Sequence, residues 1–181
     1  MPKGFLIDLD LAKQVTLNPI TPTGSSNTLR RRRGTMLFMA IEVLEGKCSR
    51  HNWRHDLESF LYVLIWLCVT APSDADMTAR KELESLWSQS KPGAVKAVQA
   101  GMDTYWLAVM DLFAKSMKGG PAQMVACEWR EVLFPLAHRR GIIMGEEGRD
   151  RQQVYKDMLA VVDGALRTCK EETALNETVR L

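Results

Sequence analysis

His55-Asp56-Leu57-Glu58-Ser59-Phe60-Leu61-Tyr62-Val63-Leu64-Ile65-Trp66, running on through Leu67, Cys68 and Val69 to Thr70, is the stretch that decides the fold. From Phe60 to Val69 it holds ten residues without a charge. A membrane span needs about 20, so the run suits a helix buried in protein. Asp56 stands as an N-cap before Leu57, and Pro72 lies just beyond the far end. Leu57, Phe60, Leu61, Leu64, Ile65 and Cys68 line one face, while Tyr62, Val63, Trp66, Leu67 and Val69 fill much of the rest. A helix apolar nearly all round is buried on most sides, and this one is expected to be the central pillar of the domain.

Working outward, the C-terminal side reads as helices. Asp76 to Ser88 is amphipathic through Leu83, Leu86 and Trp87. Pro92 to Gly101 is a short helix, and Thr104 to Met117 an apolar one stopped by Gly119-Gly120-Pro121. Ala122 to Ala137 follows, then the turn signal Arg139-Arg140-Gly141. The last long helix spans about Glu147 to Cys169, striped by Val154, Met158, Val161, Val162, Ala165 and Leu166. From Lys170 the chain reads as a frayed polar tail, so residues 1–169 are taken as one domain and 170–181 as its tail.

On the N-terminal side, Gly4 to Ile7 suits a short buried strand that stops at Asp8. Gln14 to Arg33 carries Asn18-Pro19, Thr21-Pro22, Gly24, Ser25 and Ser26 with little periodicity. A loop of about twenty residues in a compact domain is functional or disordered. Gly34 to Leu44 is short and apolar, ending at Glu45-Gly46. The fold class expected is therefore mainly α, with one or two short N-terminal strands.

Composition bounds what the chain does. The 181 residues are 46% apolar and 25% charged, ordinary for a globular domain that buries a core. A net charge of +2 does not favour nucleic-acid binding by the domain as a whole. Cys48, Cys68, Cys127 and Cys169 form no C-x-x-C pair, which suits reduced thiols in an intracellular protein, cytoplasmic or nuclear. The opening Met1-Pro2-Lys3-Gly4 lacks the pattern of a secretion signal, and no membrane association is expected. Cys48, His51 and His55 have a metal-like rhythm but supply only three ligands, so zinc is not expected.

Three motifs then fall in order. Gly4-Phe5-Leu6-Ile7-Asp8-Leu9-Asp10-Leu11-Ala12 resembles the metal-binding motif of protein kinases in the form used by the fungal-type protein kinase family. Gly34-Thr35-Met36-Leu37-Phe38-Met39-Ala40-Ile41-Glu42-Val43-Leu44 resembles that family's version of the G-T…A-P-E segment, and His55 to Trp66 resembles the helix that follows it. The resemblance covers Gly4 to Trp66 and implies a partial kinase-like C-terminal lobe; the helical remainder is compatible with it. It implies Asp8 as the Mg²⁺ and nucleotide-phosphate ligand, against the bland role of capping a strand-to-loop turn. Asp10 stands where most kinases have Gly.

The resemblance also makes Lys13 to Gly34 the activation segment, with Thr16, Thr21, Thr23, Ser25, Ser26 and Thr28 followed by Arg30, Arg31, Arg32 and Arg33. A phosphate added there would pair with the arginines and order the loop; the same run also reads as a solvated basic stretch, a localisation signal or an anion patch. Thr35 matches the Thr that in Ser/Thr kinases bonds the catalytic base, which implies Ser/Thr substrates. Glu42 matches the structural Glu that pairs with a later Arg, for which Arg130, Arg139 and Arg140 are the candidates. Asp56 matches the helix-start Asp that anchors the catalytic loop, a role that coexists with capping.

Phosphoryl transfer needs more than these parts. It needs a Gly-rich loop, a strand Lys with its helix Glu, and an H-R-D-x-x-x-x-N loop carrying the base. None occurs in the sequence; Arg54-His55-Asp56 is a look-alike that opens a helix. In the family these parts precede the metal motif, and only seven residues precede Asp8. The expectation is a truncated kinase-like domain whose family uses Mg²⁺ and ATP, which this chain alone binds at most weakly and without catalysis. The alternative is a non-catalytic interaction or scaffold module derived from a kinase C-lobe. Partners are then a protein substrate, a protein partner, or a second copy meeting apolar surface left uncovered on the Phe60–Val69 pillar.

Overall fold

The computed structural model describes residues 36–48, 51–72, 74, 76–137, 141–142 and 150–179. The expected strand Gly4–Ile7, the long loop, and the residues Asp8, Thr35 and Arg30 to Arg33 lie outside them. Among the described residues the chain is mainly helical. A 3-10 turn at Met36–Phe38 leads into α1 (Ile41–Glu45) and then α2 (Trp53–Val69). After these come α3 (Met77–Trp87), α4 (Pro92–Gly101), α5 (Asp103–Met110) and α6 (Pro121–Leu133). Two short strands, β1 (Leu136–Ala137) and β2 (Gly141–Ile142), pair antiparallel before α7 (Arg151–Val179).

The pillar is present, but it starts earlier than Asp56. Asn52 is the N-cap: its side chain accepts from the amides of Arg54 and His55, and His55 Nδ1 accepts from the Asn52 amide in return. This reciprocal box satisfies donors at the helix start that Asp56, three residues inside the helix, does not reach. Leu57, Leu61, Tyr62, Ile65, Cys68 and Val69 are buried as a core stripe. Phe60 and Leu67 are not: they are 60% and 59% exposed, so the helix has a wet side that composition did not show. In their stead Arg54, His55 and Glu58 are fully buried at its N-terminal half.

α3 and α4 form where the sequence placed them, α3 capped by Asp76, which accepts from the Thr78 amide, and α4 opened by Pro92. The next helix is shorter than expected. At Met110 the chain tightens, with Phe113 N–H reaching the Met110 carbonyl, and Ala114 N–H leaves the helix to take the Cys68 carbonyl at the end of α2. Burying Phe113 and Ala114 there outweighs continuing the helix. α6 ends at Leu133 because Pro135 cannot continue it, and the Leu136–Ala137 strand replaces its expected last turn. α7 opens with Asp150 accepting from the Gln152 amide and runs on past Cys169, since no Gly or Pro interrupts residues 165–179.

The core lies between α2, α3, α5 and α6, with Ile41 of α1 and Ala100 of α4 joining it and Val154 and Met158 of α7 closing one side. Trp129 Nε1 of α6 donates to the Met158 carbonyl at 3.0 Å, joining α6 to α7. α4 and α1 come so close that only glycine fits at position 93. A Cβ there would meet Leu44 Cβ and the Ile41 carbonyl at 3.2 Å, and Glu45 Cγ at 2.7 Å. No helix among the described residues is long and apolar enough to cross a membrane.

Gly93→Ala is expected to lose up to about 2 kcal/mol, the overpacking cost less the helix-propensity gain of Ala over Gly. Urea unfolding measures it, and a variant more stable than the parent by about 1 kcal/mol, the full propensity gain, would show that α1 and α4 are not in this contact.

Candidate functional site

The short passage from Met36 to Glu45 has little to hold it by itself. Its 3-10 turn is three residues long, and Met39 N–H reaches the Met36 carbonyl only at 3.4 Å. α1 has five residues, far fewer than a helix needs to persist alone. What fixes the passage is a set of buried polar side chains from α2 and α4.

Glu58 supplies the first. Its Oε1 accepts from the Ile41 amide at 2.7 Å, the first orphan donor of α1, and from the Tyr62 hydroxyl at 2.7 Å. Its Oε2 is buried with no hydrogen-bond partner among the described residues. Burial holds this carboxyl above its ordinary value of 4.5, although Tyr62, the Ile41 amide, Arg54 and Lys96 all pull it down. Burial, and after it the charge of Glu58, pushes the Tyr62 hydroxyl well above 10.0, which keeps it a donor.

Lys96 of α4 supplies the second. It is 1% exposed, and its Nζ donates to the carbonyls of Leu37 and Met39, at 2.8 Å each. Nζ sits 3.7 Å from the centre of the Tyr62 ring and 4.9 Å from that of Trp87. Burial pushes the ammonium down to about 7, with Glu58 pulling it back up.

Glu42 is the third tie. Its Oε2 meets His55 Nε2 at 3.0 Å and lies 3.7 Å from Arg54 Nη1. His55 Nδ1 is occupied by the Asn52 amide, so the proton is on Nε2, which donates to Glu42. Arg54, fully buried, donates from Nη2 to the Leu133 carbonyl and lies over the Phe134 ring. Of the three arginines considered as partners for Glu42, Arg130 is engaged elsewhere. Its Nε donates to the Ala100 carbonyl at 2.7 Å and its Nη2 to Asp103 at 2.8 Å. Arg139 and Arg140 lie outside the described residues. Asp56 is exposed, 3.5 Å from His51, and makes no N-cap bond. His51 stacks on His55, and among the described residues no group of His, Cys, Asp and Glu is arranged to hold a metal ion.

With this geometry in place, the comparisons bear on the same stretch. Residues 1–68 match the fungal protein kinase family. The matched segment carries the three motifs on which the resemblance was read and ends inside α2. No curated protein and no solved structure matched the chain. Over 1–68 the chain is thus similar to the fungal protein kinase family, and of the residues read from that resemblance Glu42 and Asp56 fall among the described residues.

Sequence reading missed Arg54, His55, Glu58, Tyr62 and Lys96 as a connected set. One signal was available: Lys96 is the lone charged residue of α4.

The buried carboxyl gives a pH signature. A carboxyl raised by folding stabilises fully below its ordinary value of 4.5 and loses that contribution as pH rises through the raised value. Lys96 works in the other sense: its contribution is full above 10.5 and is lost as pH falls through about 7. Glu58→Gln keeps an oxygen for Ile41 and Tyr62 but has no proton to lose. Its unfolding free energy is expected to fall less than the parent's as pH rises above 4.5. Parallel slopes in paired denaturant titrations would remove Glu58 from this role.

Proposed function

We propose that the chain is the metal-binding and substrate-positioning part of a protein Ser/Thr kinase domain, laid out as a partial kinase C-terminal lobe. The match of residues 1–68 to the fungal protein kinase family is the observation that supports this most. On this reading Asp8 holds Mg²⁺ against the phosphates of ATP, and Thr35 with the following passage faces a hydroxyl-bearing substrate. Arg30 to Arg33 receive a phosphate on the preceding loop. The tethering of Glu42 to α2 fits the reading, because it fixes the end of the substrate-facing segment to the pillar of the domain.

The Gly-rich loop, the strand Lys and the H-R-D-type base are not among the 181 residues. These supply the phosphate clamp and the positioning that carry phosphoryl transfer. The chain on its own is therefore expected to incorporate no labelled phosphate from ATP and Mg²⁺ into itself or a Ser/Thr protein substrate. Incorporation abolished by Asp8→Ala would overturn that expectation. Weak Mg²⁺-dependent ATP binding that Asp8→Ala removes would support the metal role, and equal binding by both proteins would sink it.

A second reading, a non-catalytic module that meets another protein or a second copy, is favoured by one feature. Phe60 and Leu67 stand seven residues apart on one exposed side of α2. Sedimentation of the purified chain is expected to show self-association that Phe60→Ser with Leu67→Ser reduces. A wild-type chain that stays monomeric at every concentration would rule out the second copy.

A further inference from the structure

We propose that Lys96 is a positioning residue: its side chain clamps the main chain at Leu37 and Met39 and so sets the conformation of the passage from Met36 to Ala40 that leads into α1. The substrate-facing meaning of that passage rests on the kinase reading above; the clamp itself rests on geometry.

Lysine is almost never fully buried without partners. Here the ammonium has two carbonyls at 2.8 Å and an aromatic face at 3.7 Å. Two of its three N–H groups are thereby satisfied, and the Tyr62 ring takes the remaining side of the charge. Tyr62 in turn donates to the Glu58 oxygen that accepts from the Ile41 amide. The bonds close a ring: Lys96 to the Leu37 and Met39 backbone, along the chain to Ile41, to Glu58, to Tyr62, and back to Lys96.

An apolar residue would fill the same volume but leave the two carbonyls without their donor. The passage has almost no backbone bonding of its own to fall back on. Glu58 and Tyr62 of α2 are the titratable groups facing the ammonium. Trp87 of α3 has none to offer, the passage presents carbonyls, and Gln99 on α4 is neutral and holds Trp87 Nε1 at 2.9 Å. Arg54 acts on the cluster through the charge of Glu58. The depression of Lys96 to about 7 fits this enclosed position.

Two measurements on the whole chain test the clamp. In the wild-type protein, the Lys96 ε-methylene signals should be moved upfield by the Tyr62 ring and should titrate near 7, apart from the surface lysines. In Lys96→Met, amide exchange over Met36–Leu44 should speed up about tenfold or more, while Val154–Met158 is unchanged. Lys96→Arg, which keeps donors on a longer stem, should recover part of the protection. Unshifted Lys96 signals that titrate with the other lysines would overturn the proposal. So would unchanged exchange in Lys96→Met, or an equal loss of protection at both stretches, which would make Lys96 a core residue and no more. If Lys96→Met does not fold, the wild-type signals decide. A failure of the kinase reading would move neither measurement, so the two ideas stand or fall separately.

Discussion

An ammonium and a carboxyl share the space between α2, α4 and the passage that leads into α1, and the arrangement of that whole corner depends on their being there together. Taking a charge out of water costs several kcal/mol even after relaxation. The cost is tolerable only when hydrogen bonds and an opposite charge replace the lost water. Glu58 and Lys96 meet that condition through different partners: Glu58 through the Ile41 amide and Tyr62, Lys96 through two carbonyls and a ring. An apolar pair of similar volume would pack as well, but it would leave the passage free to take several conformations.

The same device recurs at each corner of the fold. Arg54 ties α2 to the carbonyl that ends α6, and Arg130 ties α6 to the carbonyl near the end of α4. Trp87 and Gln99 join α3 to α4, and Ala114 N–H takes the Cys68 carbonyl near the end of α2. Most of these helices are short, and a short helix gains little from its own hydrogen bonds. Long side chains reaching exposed main-chain carbonyls satisfy groups that helix ends would otherwise leave orphaned. The close approach at Gly93 serves the same end, since it lets α4 carry Lys96 near enough to α1 to reach across.

Much of the helical skeleton was legible because its punctuation is local. Asp76, Pro92, Pro121 and the Gly119-Gly120 pair mark helix limits through their own backbone chemistry, and α3, α4 and the start of α6 follow them. The misreadings share a different cause. Asp56 looks like a cap, yet Asn52 caps because His55 reaches back to it, a pairing that an apolar run does not advertise. α5 stops early because a carbonyl on α2 competes for its chain, and α7 runs on because a polar helix needs no core to continue. Phe60 was placed inside because periodicity ranks residues by hydrophobicity, whereas the structure buries Glu58 beside it and leaves Phe60 in water. The family motifs were legible as strings, and the match over residues 1–68 bears that out. The clamp around Lys96 was not, because it joins residues 57 and 59 positions apart in sequence.

Glu42 of α1 is tied to the first turn of α2, the turn that also carries Asp56. Glu42 is held from below by His55 and Arg54, residues that immediately precede Asp56. His55 is fixed at both ring nitrogens, so it transmits the position of the α2 N-terminus to α1 with little freedom. Asp56 faces the opposite way, exposed beside His51. A single helical turn thus divides its side chains: Arg54 and His55 are buried against Glu42, and the Asp56 carboxylate is exposed beside His51. Lys96 of α4 meets two carbonyls at the start of the same passage, so side chains of α2 and α4 hold both of its ends.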